Sequence, residues 1–100
     1  MAKPVIWTLR AQEDRKTILA YWRKRNKSNA YSKKLNLLFK NAIITIKEFP
    51  EIGKQTDDKR ARIKVVRDYL LIYEESDTSI YILTIWDTRQ DPDKLEKIIR

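Results

Sequence analysis

The side chains in this sequence that can do chemistry are mainly cations. The 100 residues contain 22 Lys and Arg against 14 Asp and Glu, with no histidine and no cysteine. Without histidine the chain lacks the usual general base at neutral pH and the commonest metal ligand. Without cysteine it has neither thiolate chemistry nor disulfides. Metal-ligand spacings and glycine-rich phosphate loops are also absent from the sequence, so we expect no metal and no cofactor.

Two of these cations lie side by side in a predicted strand. Arg62 and Lys64 alternate with Ile63 and Val65. Because successive side chains of a strand point to opposite faces, the two cations share one face. That arrangement suits a phosphate-binding surface. An edge that simply faces solvent would show the same alternation, so both interpretations remain open.

Arg89 and Tyr69 are the other candidates for a binding site. Arg89 follows the end of a predicted strand, in a connecting segment of the kind that often carries function. Its structural alternative is a salt bridge to Asp87 or Asp91, which would contribute little if exposed. Tyr69 begins a strand beside Arg67, where its ring could stack on a nucleobase. The alternative for this and the other aromatic side chains is core packing.

Three strands position these residues. Runs rich in β-branched and aromatic residues span Arg62–Val66, Tyr69–Glu75 and Ile80–Trp86. They are separated by two and four residues of turn-forming types, so antiparallel pairing is expected. The third run is apolar on both faces, which predicts a strand inside the sheet with packing on each side.

The other predicted elements surround this meander. They are a strand at Pro4–Thr8, helices from Leu9 to Arg25 and Asn29 to Phe49, a loop at Glu51–Arg60, and a terminal helix at Asp93–Arg100. Thr8, Ser28 and Asp91 are the expected N-caps. The sequence thus predicts one α+β domain over residues 1–100, in the order β-α-α-β-β-β-α. A helical hairpin packs on one face of a curved antiparallel sheet. Leu38 and Ile82 are expected in the core where the second helix meets the sheet.

The charge is unevenly placed. Residues 1–50 hold 12 Lys and Arg against three Asp and Glu, whereas residues 51–100 hold ten against 11. A basic half favours a polyanionic partner, either a nucleic acid or an acidic protein. A solvated basic surface is the alternative. No apolar run reaches membrane-spanning length, and Met1–Arg10 lacks the apolar core of a signal peptide. We therefore expect a cytoplasmic protein with no membrane partner.

Several motifs together resemble the RelE/ParE superfamily, the toxins of type II toxin–antitoxin pairs, also known as plasmid-stabilisation proteins. The likeness covers essentially the whole chain and depends on the order of the motifs. They are WTxxAxxD at Trp7, Thr8, Ala11 and Asp14, YW at Tyr21-Trp22, EFPEIGK at Glu48–Lys54, RIKVVRDYLLIYE at Arg62–Glu74, and ILTIWDTRQDP at Ile82–Pro92. The resemblance implies a growth-inhibiting toxin that is neutralised by a cognate acidic antitoxin, in a hetero-oligomer with it.

One branch of this superfamily cleaves messenger RNA in the ribosomal A site. Resemblance to these RelE-like enzymes implies Arg62, Lys64, Arg67 and Arg89 as a catalytic cationic set that stabilises the phosphate during attack by the ribose 2′-hydroxyl. The chain departs from this branch in two ways. Leu70 replaces the strand arginine, and neither tyrosine nor histidine follows Arg89. The acid–base half of the chemistry is therefore missing.

The ParE-like branch poisons DNA gyrase without cleaving RNA, and the chain resembles it more closely. Both have an apolar residue at the position of Leu70, and an arginine followed two residues later by an acid, here Arg89 and Asp91. ParE sequences often have a histidine where this chain has Asp87. This branch implies Arg89, Asp91 and Tyr69 as residues for toxicity or target binding. An inactive toxin relic, or a basic module that binds nucleic acid or protein, is the remaining alternative.

Overall fold

The computed structural model describes residues 3–56 and 60–99. Its elements are β1 (Val5–Trp7), α1 (Leu9–Asn26), α2 (Ala30–Glu48), β2 (Lys54–Gln55), β3 (Ala61–Val66), β4 (Tyr69–Glu75), β5 (Ile80–Asp87) and α3 (Pro92–Ile99). The predicted α+β class and order of elements are confirmed. Within the predicted loop Glu51–Arg60, a two-residue strand, β2, had not been anticipated, and residues 57–59 lie outside the described part. So does Arg100, the last residue of the predicted terminal helix.

The strands form one sheet in the order β1-β5-β4-β3-β2. Pairing is antiparallel as predicted, except that β1 lies parallel to β5 and makes the sheet mixed. A parallel pair needs a long crossover connection, and the helical hairpin that follows β1 begins that connection. As predicted, β5 lies inside the sheet, between β1 and β4.

Local sequence signals mark the ends of the two long helices. Thr8 is the N-cap of α1, and its side chain accepts a backbone N–H of the first turn. Lys27 ends α1 in the left-handed conformation, with φ of 52°. The predicted cap Ser28 is off by one residue, since Asn29 is the N-cap of α2 and Ser28 Oγ instead accepts the Ala30 N–H at 3.1 Å. Among the described residues, no helix is both long and apolar enough to cross a membrane.

The main core lies between the sheet and both helices of the hairpin. Leu35, Phe39 and Ile46 from α2 are fully buried and meet β4 and β5, where the predicted core residue Ile82 is also fully buried. Leu38 is only half-buried, so its expected place in the core is wrong in detail. The i, i+4, i+7, i+11 row that starts at Leu35 faces the sheet, and Leu38 lies to one side of that row.

The opposite face of the sheet has a smaller core. Ala61, Ile72 and Trp86 are buried there against Leu95 of α3. The terminal helix therefore covers part of this face, as the apolar sequence of the strands requires. Val65 on the same face keeps 62% of its surface exposed.

The opening motif of the chain attaches α1 to an irregularity in β5. The β4–β5 register shifts by one residue, which makes Leu83 the extra residue of a bulge. Thr8 Oγ1 donates to the Leu83 carbonyl at 2.9 Å. The Asp14 carboxylate accepts the Thr84 hydroxyl and, at 3.2 Å, the Ile85 N–H. These contacts satisfy polar groups of β5 beyond the end of its pairing with β1, and they hold α1 against the strand that leads to the site.

Gly53 is required where the chain passes Tyr73. The buried Tyr73 hydroxyl donates to the Pro50 carbonyl and accepts the Gly53 N–H, both at 2.8 Å. A Cβ on Gly53 would lie 2.5 Å from this hydroxyl and 2.8 Å from Cε1 of the same ring. Gly53→Ala should therefore lower the free energy of unfolding by about 1–3 kcal/mol, as overpacking does.

Urea unfolding measures this change, and the neighbouring exposed Lys54→Ala is the control, expected to stay within about 0.5 kcal/mol of wild type. Equal stability of the two variants would contradict the close approach to Tyr73.

Candidate functional site

A shallow cavity of about 230 Å³ lies between α1 and the end of β5. The β5 residues that line the cavity follow the bulge in the chain, and the segment after β5 lines one side of the cavity. Its lining residues are Asp14, Thr17, Ile18, Tyr21, Tyr69, Ile85, Asp87, Arg89 and Gln90. It therefore brings together two of the three residues expected to act in target binding, Arg89 and Tyr69.

Asp87 and Arg89 form a bidentate ion pair at the mouth of this cavity. Arg89 Nε lies 2.9 Å from Asp87 Oδ1, and Nη2 lies 2.7 Å from Oδ2. The Arg89 backbone N–H also donates to Oδ1 at 2.9 Å. These hydrogen bonds hold the pKa of the Asp87 carboxyl below its usual range and raise the pKa of the guanidinium. The Arg89 side chain remains 56% exposed, so the pair holds a guanidinium in one orientation at the surface, with its Nε and Nη2 donating to Asp87.

Asp91 has a different role in the structure. Its carboxylate accepts the Asp93 N–H at 3.0 Å and its carbonyl accepts the Lys94 N–H at 3.1 Å. These are the contacts of an N-cap on α3, as its sequence context predicted. Of the two salt bridges proposed for Arg89, the structure contains the one to Asp87.

Tyr69 is a core residue whose hydroxyl alone approaches the site. The residue is 2% exposed, and its ring packs edge-on against Phe39 with 5.9 Å between centroids. Its hydroxyl accepts the Trp22 Nε1–H at 2.8 Å. Burial raises the pKa of this hydroxyl, so it stays protonated at neutral pH. The suggestion that the ring stacks on a nucleobase is wrong for this structure, because neither face of the ring is open.

Tyr21 is the exposed aromatic side chain of the cavity, and it was not among the expected site residues. It is 40% exposed, lines the same cavity as Arg89, and packs edge-on against Trp22 at 5.1 Å. The Tyr21-Trp22 motif was the feature of the sequence that could have indicated Tyr21 as a site residue. In α1 the first of the pair faces the cavity while the second is half-buried against Tyr69.

Three of the four cations expected for RNA cleavage are spread along β3 and the turn that follows it. Arg62 Nη1 donates to the carbonyls of Glu51 at 3.1 Å and Gly53 at 2.8 Å, so this guanidinium holds the segment before β2. Arg67 lies in the turn after β3 with φ of 56°. Arg67 comes five residues after Arg62, which in extended chain is a backbone distance of roughly 16 Å. Lys64 lies between them and lines a groove beside α2.

Arg67 and Arg89 belong to neighbouring segments at one end of the sheet. The turn that contains Arg67 is joined to the segment of Arg89 through Asp68, whose carbonyl accepts both the N–H and the hydroxyl of Thr88 at 3.0 and 2.9 Å. The structure therefore brings these two cations to the same end of the sheet and leaves Arg62 at the other. Within residues 3–56 and 60–99, no three His, Cys, Asp or Glu side chains are grouped so that they could hold a metal ion.

A family model matches most of the chain. Residues 5–92 match the model of the ParE toxin of type II toxin–antitoxin systems, parDE, and the chain therefore belongs to this family. The fold is similar to a solved structure described as a chromosomal ParDE toxin–antitoxin system from P. aeruginosa. The TM-score is 0.74 at 13% identity, with 88% of this chain and 98% of that chain covered. A search of curated protein sequences found no match. The protein is a toxin of a type II toxin–antitoxin pair.

Proposed function

We propose that this toxin inhibits growth by binding and poisoning DNA gyrase, without cleaving RNA, and that an acidic antitoxin neutralises it. The observation that carries the proposal is the separation of the cations. Stabilising the transition state of RNA cleavage needs preorganised cations around one phosphate. Here the Arg62 guanidinium binds the carbonyls of Glu51 and Gly53, and the backbone of Arg62 lies roughly 16 Å along the strand from that of Arg67. Leu70 and the absence of tyrosine and histidine after Arg89 also argue against the nuclease.

The surface around Arg89 suits recognition of a macromolecule. An exposed bidentate guanidinium lies beside the half-exposed Tyr21. Arginine and tyrosine are the residue types that carry much of the energy of protein interfaces. We infer that Arg89 and Tyr21 contact the target, while Asp91 shapes the same segment by capping α3. The toxin then acts in the cytoplasm, where its target functions.

Neutralisation by an acidic protein is supported by charge. The net charge is +8, and residues 1–50 alone carry 12 cations against three acids. An acidic partner would be attracted to this basic half of the chain, and the attraction would raise its rate of association. The neighbouring reading frame should therefore encode a small protein with an acidic, amphipathic segment.

Pulse labelling after induction tests the target. Early loss of DNA synthesis with an SOS response, together with inhibition of purified gyrase, is the expected result. Early loss of translation with cut messages would overturn the proposal in favour of the ribosome-dependent nuclease. Normal growth of cells that contain the folded protein would indicate an inactive relic or a binding module. Growth should return when the acidic neighbour is co-expressed.

A further inference from the structure

We propose that the tip of the helical hairpin binds the phosphate backbone of duplex DNA. The basic tip is defined as residues 23–34, which join α1 to α2 and contain Arg23, Lys24, Arg25, Lys27, Lys33 and Lys34. This inference rests on the proposed function, because the target proposed above is an enzyme that holds DNA. It goes further by giving the toxin a second ligand, a nucleic acid, and by assigning the surface that binds it.

The basic tip lies in a long stretch of the chain that has no acid. Residues 15–47 contain ten Lys and Arg and no Asp or Glu. All six cations of the tip are exposed, and none of them has an ion pair within residues 3–56 and 60–99. Like charges gathered on one surface repel each other and destabilise the folded chain. A bound polyanion would relieve that repulsion.

Helix stability accounts for only half of this charge. Three of the cations lie in the last turn of α1, where the helix dipole favours them. The dipole favours acids at the start of α2, but the first turn of α2 contains none, and Lys33 and Lys34 are the charged residues nearest to that end. Lys27 has a left-handed backbone with φ of 52°, at a helix end where glycine is the usual residue. These three lysines therefore need another explanation.

The side chains of the basic tip are of the types that contact phosphates. Besides the cations, its exposed polar side chains are Asn26, Ser28 and Asn29. Arginine, lysine, serine and asparagine all bond to phosphate oxygens in protein–DNA complexes. A protein interface has an apolar centre, but within residues 23–34 no large apolar side chain is exposed. The one aromatic side chain, Tyr31, is half-buried against Trp22. This composition favours a nucleic acid over an acidic protein.

The basic tip lies at the same end of the molecule as the candidate site. The rings of Tyr31 and Trp22 pack edge-on with 4.8 Å between centroids, and the Trp22 Nε1–H donates to the Tyr69 hydroxyl at 2.8 Å. Tyr69 follows the turn that contains Arg67, and it lines the same cavity as Arg89. DNA bound at the tip would therefore lie beside the side chains proposed to contact gyrase.

Fluorescence anisotropy of the purified chain with a labelled duplex of about 20 base pairs tests the proposal. Each cation that contacts a phosphate releases counterions, so the affinity falls as the salt concentration rises. If about four cations of the tip contact phosphates, the affinity should fall about 100-fold or more between 50 and 200 mM salt. The plot of log affinity against log salt should have a slope of about −4.

The double variant Arg23→Gln/Lys33→Gln removes two of these contacts and keeps side chains that favour helices. It should bind the duplex at least about tenfold more weakly than wild type, with a slope smaller by about 2. The matched variant Lys47→Gln/Lys54→Gln makes the same change of net charge at exposed positions, and Lys47 is about 21 Å along α2 from Lys33. It should keep the slope and bind within about threefold of wild type. Circular dichroism should show both variants folded, because all four side chains are exposed.

The outcomes separate this inference from the proposed function. Equal weakening in the two double variants would show attraction by net charge alone and would overturn the tip as the site. Polyglutamate that binds as tightly as the duplex would overturn DNA as the ligand in favour of an acidic protein, and single-stranded RNA that binds more tightly would do so in favour of RNA. Duplex binding that depends on the tip, without inhibition of purified gyrase, would contradict the proposed function and leave the DNA-binding surface standing. Inhibition of gyrase by a chain that does not bind the duplex would do the reverse.

Discussion

Phe39→Ala is expected to lower the free energy of unfolding by about 3–5 kcal/mol, the usual cost of truncating a buried phenylalanine. Phe39 is fully buried in α2 and packs edge-on against Tyr69, which in turn accepts the Trp22 hydrogen bond beside the candidate site. The truncation thus leaves a cavity where both helices meet the sheet. Domains of this size have total stabilities of about 5–15 kcal/mol, so the variant should lie close to the limit of folding.

Urea unfolding followed by circular dichroism measures the effect, with Leu37→Ala as the matched control. Leu37 is adjacent in the same helix and 56% exposed, so its truncation should change stability by less than about 0.5 kcal/mol. The half-buried Leu38→Ala should fall between them. If Leu38→Ala costs more than Phe39→Ala, the face of α2 assigned to the core is wrong.

Arg89→Ala should weaken inhibition of purified gyrase about 30-fold or more, the effect of losing an arginine at the centre of an interface. The guanidinium is exposed and held in one orientation by Asp87, so it requires little further ordering when it binds. Arg89→Lys keeps the charge but loses the planar fork, and should recover only part of the activity. Because Arg89 is exposed and outside the core, both variants should lose at most about 1 kcal/mol of stability, the contribution of a surface ion pair with Asp87.

Lys64→Ala is the control that separates the two mechanisms. It removes a cation of the proposed nuclease set without breaking a side-chain hydrogen bond or ion pair among the described residues, and should inhibit gyrase within about threefold of wild type. Arg62→Ala is a poorer control, because it releases the carbonyls of Glu51 and Gly53. If RNA cleavage is the mechanism, Lys64→Ala should lose a factor of about 100 in rate. A folded, non-toxic Lys64→Ala, with cut messages in wild-type cells, would contradict gyrase as the target.

Removing the end of the chain would be harder to interpret than these substitutions. Leu95 of α3 is buried against Ala61, Ile72 and Trp86, so a truncation after Gln90 would expose that core. Loss of toxicity in such a variant would report on folding as well as on target binding. Single substitutions at Arg89 and Lys64 avoid this difficulty.

The order and type of the elements could be predicted from local patterns, because hydrophobic period, turn residues and caps act over a few neighbouring residues. The boundaries of β4 match the prediction from Tyr69 to Glu75, and Thr8 caps α1 as expected. The short strand β2 was not predicted because it contains only Lys54 and Gln55. Two polar residues are too few to show the alternation of apolar and polar side chains that marks a strand. Their pairing depends instead on where β3 lies.

The sequence by itself determined the family and the fold class, since the order of its motifs extends along nearly the whole chain. The tertiary structure decided which candidate residues share a site. Arg62 and Arg67 are close in sequence, yet the extended backbone of β3 carries them to opposite ends of the strand. Asp14 and Thr84 are 70 residues apart, yet they meet at the β5 bulge that leads to Asp87 and Arg89. Such proximities follow from packing between distant segments, which periodicity within one segment cannot encode.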